Sequence, residues 1–322
     1  MAAHSPRPLA RASAAATVAN VGPGFDVLGL CLEGPRDTVT AERTSDGSVT
    51  IEAIRGDGGV LPLSAASNCV GVVARAVLDA FGEGEMGVRL QLDKGLPLGT
   101  GMGSSAASSV ASAVAVASLL DRDIPRPDLL PACLEGERLA SGSPHPDNVA
   151  PALLGGIIAC VPGLHGSGGV TPVSLPVPDG LSVICARPAL RVDTEAARDL
   201  LPERVLLSEA VNNAGRLTGL VTALFKGDLQ LLGQCLDDGL VTPHRQVLVP
   251  GFAEVRRAAL GAGALGAGLS GSGPTVFALA PALSVAQGVA EAMGNAFGAA
   301  GLEAETFVSS VCPQGARLET DG

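Results

Sequence analysis

Between Asn68 and Phe81 the apolar residues recur at helical intervals: Val70, Val73, Ala74 and Val77 share one face, behind a Ser67-Asn68 pair that suits a helix cap. A few residues later the interval drops to two, with Val88, Leu90 and Leu92 alternating against polar neighbours as in a half-buried strand. From Arg11 to Ile54 the apolar runs are short and extended. The runs 14–19, 27–32, 37–43 and 49–54, punctuated by Gly, Pro and Asp-Gly, predict strands and hairpins. Residues 104–120 are small on every side, which predicts a buried helix packed close to its neighbours.

Two further helical stretches, 126–140 and 148–154, lead into an apolar strand at 156–161. The Gly- and Pro-rich segment 162–180 then breaks the periodicity, and the lobe boundary is expected there, dividing the chain into domains 1–170 and 171–322. The second half predicts a strand at 182–186, helices at 194–200, 205–225, 229–238 and 253–260, a strand at 275–279, a helix at 285–297 and a strand at 304–308. This order points to an α+β sandwich of two lobes sharing a cleft.

Composition narrows the chemistry. With 47% hydrophobic residues but only 2% aromatic, and no Trp or Tyr, the core has to be built from Ala, Val and Leu. Base stacking on aromatic platforms is nearly unavailable, and a net charge of -11 repels phosphate backbones, so no nucleic-acid partner is expected. A nest of backbone N–H groups can still hold a mononucleotide inside an acidic protein. The seven cysteines are odd in number and widely spread, without a C-x-x-C pair, and read as reduced core residues. The most apolar segment, 106–120, is interrupted by serines and too short to span a bilayer, and no basic-then-apolar leader stands at the start. The expectation is a cytoplasmic protein with no membrane partner.

The strongest chemical signal is Pro97-Leu-Gly-Thr-Gly-Met-Gly-Ser-Ser-Ala-Ala107, set between a predicted strand and a predicted helix beginning at Ser104. Glycines let backbone N–H groups converge on phosphate oxygens, and the helix N-terminus adds partial positive charge. It is neither a Walker A loop nor a dinucleotide fingerprint. Gly261-Ala-Gly-Ala-Leu-Gly266 does fit G-x-G-x-x-G, but a helix rather than a strand is predicted before it. The serines at 104, 105, 108 and 109 lack the G-x-S-x-G elbow of a hydrolase.

Three segments in order resemble the galacto-, homoserine, mevalonate and phosphomevalonate kinase superfamily: Asn20-Val-Gly-Pro-Gly-Phe-Asp26, the loop 97–107, and Gly268-Leu-Ser-Gly-Ser-Gly-Pro-Thr275. The resemblance implies an N-terminal domain like that of ribosomal protein S5, with a left-handed βαβ feature, and a ferredoxin-like C-terminal domain. Within the superfamily, four details are similar to the homoserine kinase family. They are Asn20 to Asp26 ahead of Val-Leu-Gly, Ser141-Gly-Ser-Pro-His-Pro-Asp-Asn-Val-Ala-Pro151, Asp193-Thr-Glu-Ala-Ala-Arg198 ahead of Leu200-Leu-Pro202, and Pro243-His-Arg245 ahead of Leu248-Val-Pro-Gly251.

By this likeness the implied activity is phosphorylation of L-homoserine by ATP with Mg2+, a step of threonine biosynthesis, with a homodimer possible. Asn20, Asp26, His145, Asn148, Arg198 and Arg245 would surround the amino acid. Asn68, Lys94 and the loop residues Pro97, Leu98, Gly99, Thr100, Gly101, Met102, Gly103, Ser104, Ser105, Ala106 and Ala107 would seat the nucleotide. Ser105 and Glu137 would hold Mg2+. The segment 268–275 would act as a backbone device passing close to the phosphate loop. Asn148 would orient the attacking hydroxyl, Asp147 is the nearest residue able to act as a base, and the likeness favours a mechanism without a dedicated carboxylate base.

Taken by themselves, the residues allow plainer readings. His145 and Asp147 could form a structural turn or half of a zinc site, though the neighbourhood lacks further ligands. Glu137, beside Arg138, could be a solvated helix charge, and Arg198 and Arg245 could be surface ion-pair partners. Two other classes stay open: a superfamily kinase acting on mevalonate or a sugar, and a metabolite-binding member without catalysis. Without Tyr or Trp, any adenine pocket has to be aliphatic.

Overall fold

The computed structural model describes residues 8–163 and 169–319. Its elements run β1 (Leu9–Ala19), β2 (Leu28–Thr44), β3 (Val49–Arg55), α1 (Cys69–Ala80), β4 (Gly87–Asp93), α2 (Ser104–Ala117), α3 (Leu130–Ser141), α4 (Pro146–Leu154), β5 (Ile157–Pro162) and β6 (Val170–Leu175). They continue with β7 (Ser182–Pro188), α5 (Thr194–Asp199), α6 (Leu207–Lys226), α7 (Leu229–Cys235), α8 (Thr242–Arg245), α9 (Phe252–Gly261), β8 (Gly266–Leu269), β9 (Val276–Ala280), α10 (Leu283–Ala299), β10 (Ala304–Ser310) and β11 (Arg317–Glu319). This is the two-lobed α+β arrangement that the patterning predicts.

The first sheet has seven strands in the order β11-β1-β2-β4-β3, with β5 pairing β2 and β6 pairing β5. All its pairs are antiparallel except β3 with β4, which α1 connects as a crossover. The second sheet, β10-β7-β9-β8, is antiparallel throughout. It packs on α9 and α10 around a separate core of Phe252, Val255, Val276, Met293 and Phe297.

The small-residue pattern of α2 has the predicted result: every residue of this helix except Ser105 is buried. Alanine and serine side chains let the first sheet, α1 and α3 approach its backbone closely, as dense packing with few voids requires. All seven cysteines are free, and six are buried.

Four features differ from the patterning. The runs 27–32 and 37–43 are one strand, because β2 continues through Gly34-Pro35 and bulges there: Ala15 and Thr17 of β1 pair with Arg36 and Cys31, which leaves residues 32–35 of β2 as the extra length. The segment 162–180, of which 164–168 lies outside the described residues, carries β6, so the chain changes sheets between Leu175 and Ser182. The decoy glycine motif leads from α9 into β8, a four-residue strand rich in glycine that gives no β signal. Finally, β11 returns to β1 and forms the edge of the first sheet.

Candidate active site

The segment between β4 and α2 is a loop of three left-handed glycines, with φ of +68° at Gly99, +72° at Gly101 and +67° at Gly103. Gly101 is enforced by close approach, since a Cβ there would lie 2.4 Å from the Ser270 carbonyl oxygen and 2.5 Å from that of Gly273. Ser270 Oγ donates to the Gly101 carbonyl at 2.7 Å, and the Thr275 N–H donates to the Thr100 carbonyl at 3.3 Å. The second lobe's 268–275 segment therefore buttresses the loop with backbone, in keeping with the device expected from sequence.

Leu98, Gly99, Thr100, Gly101, Gly103, Ser104 and Ser105 line a cavity of about 870 Å3. Pro97, Met102, Ala106 and Ala107 do not line it; Met102, Ala106 and Ala107 are buried in the first core and anchor the loop from behind.

Asn68 and Lys94, expected at the nucleotide, both line the cavity, and Lys94 is also bonded beneath the loop. The Lys94 side chain is 1% exposed, and its ammonium is paired with a wholly buried Asp37 and donates to Ser104 Oγ at 2.7 Å, the Ser104 carbonyl at 3.1 Å and Ser108 Oγ at 3.0 Å. Asp37 also accepts the Gly95 and Leu96 N–H groups at 2.9 Å each. Two buried charges so fully bonded are a clamp on the base of the loop. Asn68 is likewise engaged: its Oδ1 caps α1 by accepting the Val70 N–H, and its Nδ2 donates to the Pro62 carbonyl.

The other end of the cavity is built on the turn after β1. Asn20 and Asp26 both adopt φ of +57°, a conformation that short polar side chains tolerate through local hydrogen bonds. Asn20 Oδ1 accepts the Asp26 N–H, its Nδ2 donates to the Gly271 carbonyl, and its own N–H donates to Asp147 Oδ2 at 3.1 Å. Asn148, at the start of α4, accepts from the buried Thr17 hydroxyl at 2.7 Å. It meets the glycine loop directly, because a Cβ on Gly103 would lie 2.8 Å from Asn148 Oδ1 and 2.2 Å from Thr17 Oγ1.

Arg245 is buried, donating to the Ala197 and Gly271 carbonyls, with its guanidinium 5.2 Å from the Phe25 ring. Burial first, then Arg198, lowers its pKa from the usual value. Arg198 does not line the cavity and touches the site through Asp26, at 2.7 Å.

Between the two ends, Glu137 is 3% exposed and so is no solvated helix charge. Its Oε2 accepts the Ser105 hydroxyl at 2.7 Å, while Oε1 faces Ser141 Oγ and His145 Nδ1. Burial alone would lower the His145 pKa, but the hydrogen bond and charge of Glu137, with Asp147 and Asp26 behind it, raise it above the usual histidine value. Asp147 is pushed up to about 7 by burial, with the charge of Asp26 adding to it, and its Oδ1 has no hydrogen-bond partner. Among the described residues no three His, Cys, Asp or Glu side chains converge as a metal cage. A hydroxyl beside a carboxylate does fit Mg2+, which takes few protein oxygens and completes its shell with water and phosphate.

Sequence reasoning assigned no role to Thr17, Asp37 or Arg191, nor to Phe25 and Ser141 within the motifs it singled out, because the groups that each of them faces are brought together only by the fold.

Comparison with known proteins agrees with this architecture. Residues 68–156 match the GHMP kinases N terminal domain and residues 220–300 the GHMP kinases C terminal domain, so the chain belongs to the GHMP kinases. Within that family it is similar to homoserine kinase of Chlorobium phaeovibrioides, 40% identical over 96% of this chain and 98% of the relative. A crystal structure of homoserine kinase from Cytophaga hutchinsonii superposes with a TM-score of 0.93 at 41% identity, covering 99% of this chain and 100% of that one. Mevalonate kinase of L. major, at 17% identity and a TM-score of 0.69 over 96% and 97% of the two chains, shares the fold.

Proposed function

We propose that the chain transfers the γ-phosphoryl group of ATP to the side-chain hydroxyl of L-homoserine, giving O-phospho-L-homoserine. The observation that carries this reading is the contact of two unlike half-sites in one cavity. The glycine loop, suited to a polyphosphate, touches Asn148 at Gly103, and Asn148 stands beside acidic and basic groups suited to a zwitterion. The many homoserine kinase relatives near 40% identity support the same choice of acceptor.

In this reading Asp26 faces the substrate ammonium and Arg245 its carboxylate, with Arg198 holding Asp26 in place. Asn148 orients the hydroxyl against the γ-phosphorus, and the loop N–H groups receive the charge that develops on the phosphoryl oxygens. Ser105 and Glu137 would hold Mg2+, which supplies further neutralisation of that charge. Phosphoryl transfer asks mainly for positioning and charge neutralisation, so no strong base is required.

A coupled ADP-release assay with homoserine, mevalonate and galactose tests the substrate. Turnover of homoserine is expected to exceed the others by orders of magnitude, and equal or greater turnover of mevalonate would refute the assignment. For the mechanism, Asn148→Ala should lower kcat far more than Asp147→Ala. The opposite ranking would make Asp147 the base.

A further inference from the structure

Besides His145, which is paired with Glu137, three cationic side chains line the cavity, Lys94, Arg191 and Arg245, against five carboxylates. Two of the three are already committed. Lys94 is buried against Asp37 and the first turn of α2, and Arg245 is buried against two carbonyls and Phe25. Arg191 alone is exposed, and among the described residues it makes no side-chain hydrogen bond or ion pair.

Its position is fixed nonetheless. The linker between β7 and α5 brings it across from the second lobe, and the Val192 N–H donates to the Gly99 carbonyl at 3.4 Å. The side chain then lies along the loop: a Cβ on Gly99 would sit 3.2 Å from Arg191 Nε and 3.7 and 3.8 Å from its Cβ and Cγ. A left-handed glycine at 99 both shapes the turn and leaves room for the arginine stem.

We propose that Arg191 is a phosphate-binding residue of the transfer reaction, its guanidinium closing over the β- and γ-phosphates on the loop face opposite α2. The inference rests on the kinase reading above. A polyanionic tail entering a cavity with more carboxylates than free cations is favoured by a further positive charge beside the loop dipoles and the Mg2+ that Ser105 and Glu137 would hold, and the planar guanidinium fork matches phosphate oxygens. Because the arginine comes from the second lobe and the loop from the first, the nucleotide is held from both.

The test compares wild type with Arg191→Gln and Arg191→Lys by calorimetry with ADP and with AMP, and by kcat for homoserine phosphorylation. Arg191→Gln is expected to weaken ADP binding by about tenfold to a hundredfold and to lower kcat by a similar factor, the effect of losing a charged hydrogen bond. AMP affinity, the KM for homoserine and the urea midpoint should stay within twofold of wild type, and Arg191→Lys should fall between. ADP affinity and kcat both within twofold of wild type in Arg191→Gln would overturn the proposal, as would an equal loss of AMP and ADP binding. A wild type that binds no ADP would overturn the kinase reading itself, and this inference with it.

Discussion

Gly103→Ala tests the join between the two half-sites most directly. The position has φ of +67°, which costs an L residue about 1–2 kcal/mol. The new methyl group would also stand 2.2 Å from Thr17 Oγ1, on a side chain with no exposed surface into which to retreat. One of the two hydroxyl partners has to move, and the Thr17–Asn148 hydrogen bond is lost, at about 1 kcal/mol. The smaller entropy of the unfolded chain returns about 0.4–1 kcal/mol. The net loss expected is therefore about 1–2.6 kcal/mol, and a displacement of Asn148 by 1 Å should lower kcat on the order of a hundredfold. Without Trp or Tyr the chain has no useful intrinsic fluorescence, so urea unfolding is best followed by far-ultraviolet circular dichroism, alongside ADP release. In the double variant Gly103→Ala/Thr17→Ala the clashing atom is gone, and stability should exceed the sum of the single losses by about 1 kcal/mol. A stability change under about 0.5 kcal/mol with kcat within twofold would refute the reasoning.

Removing the Lys94 ammonium in Lys94→Met leaves the buried Asp37 carboxylate uncompensated and should cost about 3–5 kcal/mol in urea unfolding, most of it recovered on adding Asp37→Asn; a loss below 1 kcal/mol would sink this account. The pH dependence of stability follows from the two raised groups. Asp147, at about 7, keeps a proton that the unfolded chain sheds near 4, so native stability declines as pH rises through that window. His145, also raised, adds stability below its ordinary value that is lost as pH climbs through its folded one. Asp147→Asn should flatten the slope measured by urea titrations between about pH 4.5 and 6.5, and an unchanged slope would contradict it.

Much of the fold was legible because the deciding signals are local. The 3–4 spacing and Asn68 cap of α1, the alternation of β4 and the small-residue helix α2 are written in consecutive residues. The glycine loop was legible for the same reason, and its neighbours at 268–275 were identified by likeness rather than by any pattern that foretold a carbonyl 2.4 Å from a missing Cβ. Illegible features depend on register. Thr38 opposite Asp93 sets Asp37 beside Lys94, a pairing that no reading of either strand alone reveals. Arg198 and Arg245 looked equivalent as isolated cations, yet one is buried against two carbonyls and the other is linked through Asp26. Arg191 carries no signal in sequence beyond its charge.

The short strand β11 also bears on synthesis. It supplies the outer neighbour of β1, and Ser13 bonds to Glu319 across 306 residues of chain. As the polypeptide leaves the ribosome, the first lobe therefore waits with one rim of its sheet open while the second lobe is being made. Nascent intermediates would expose the outer backbone edge of β1 at Arg11 to Ser13 to other chains until residue 319 emerges, and truncations shortly before that point should aggregate even though they retain every residue of the cavity.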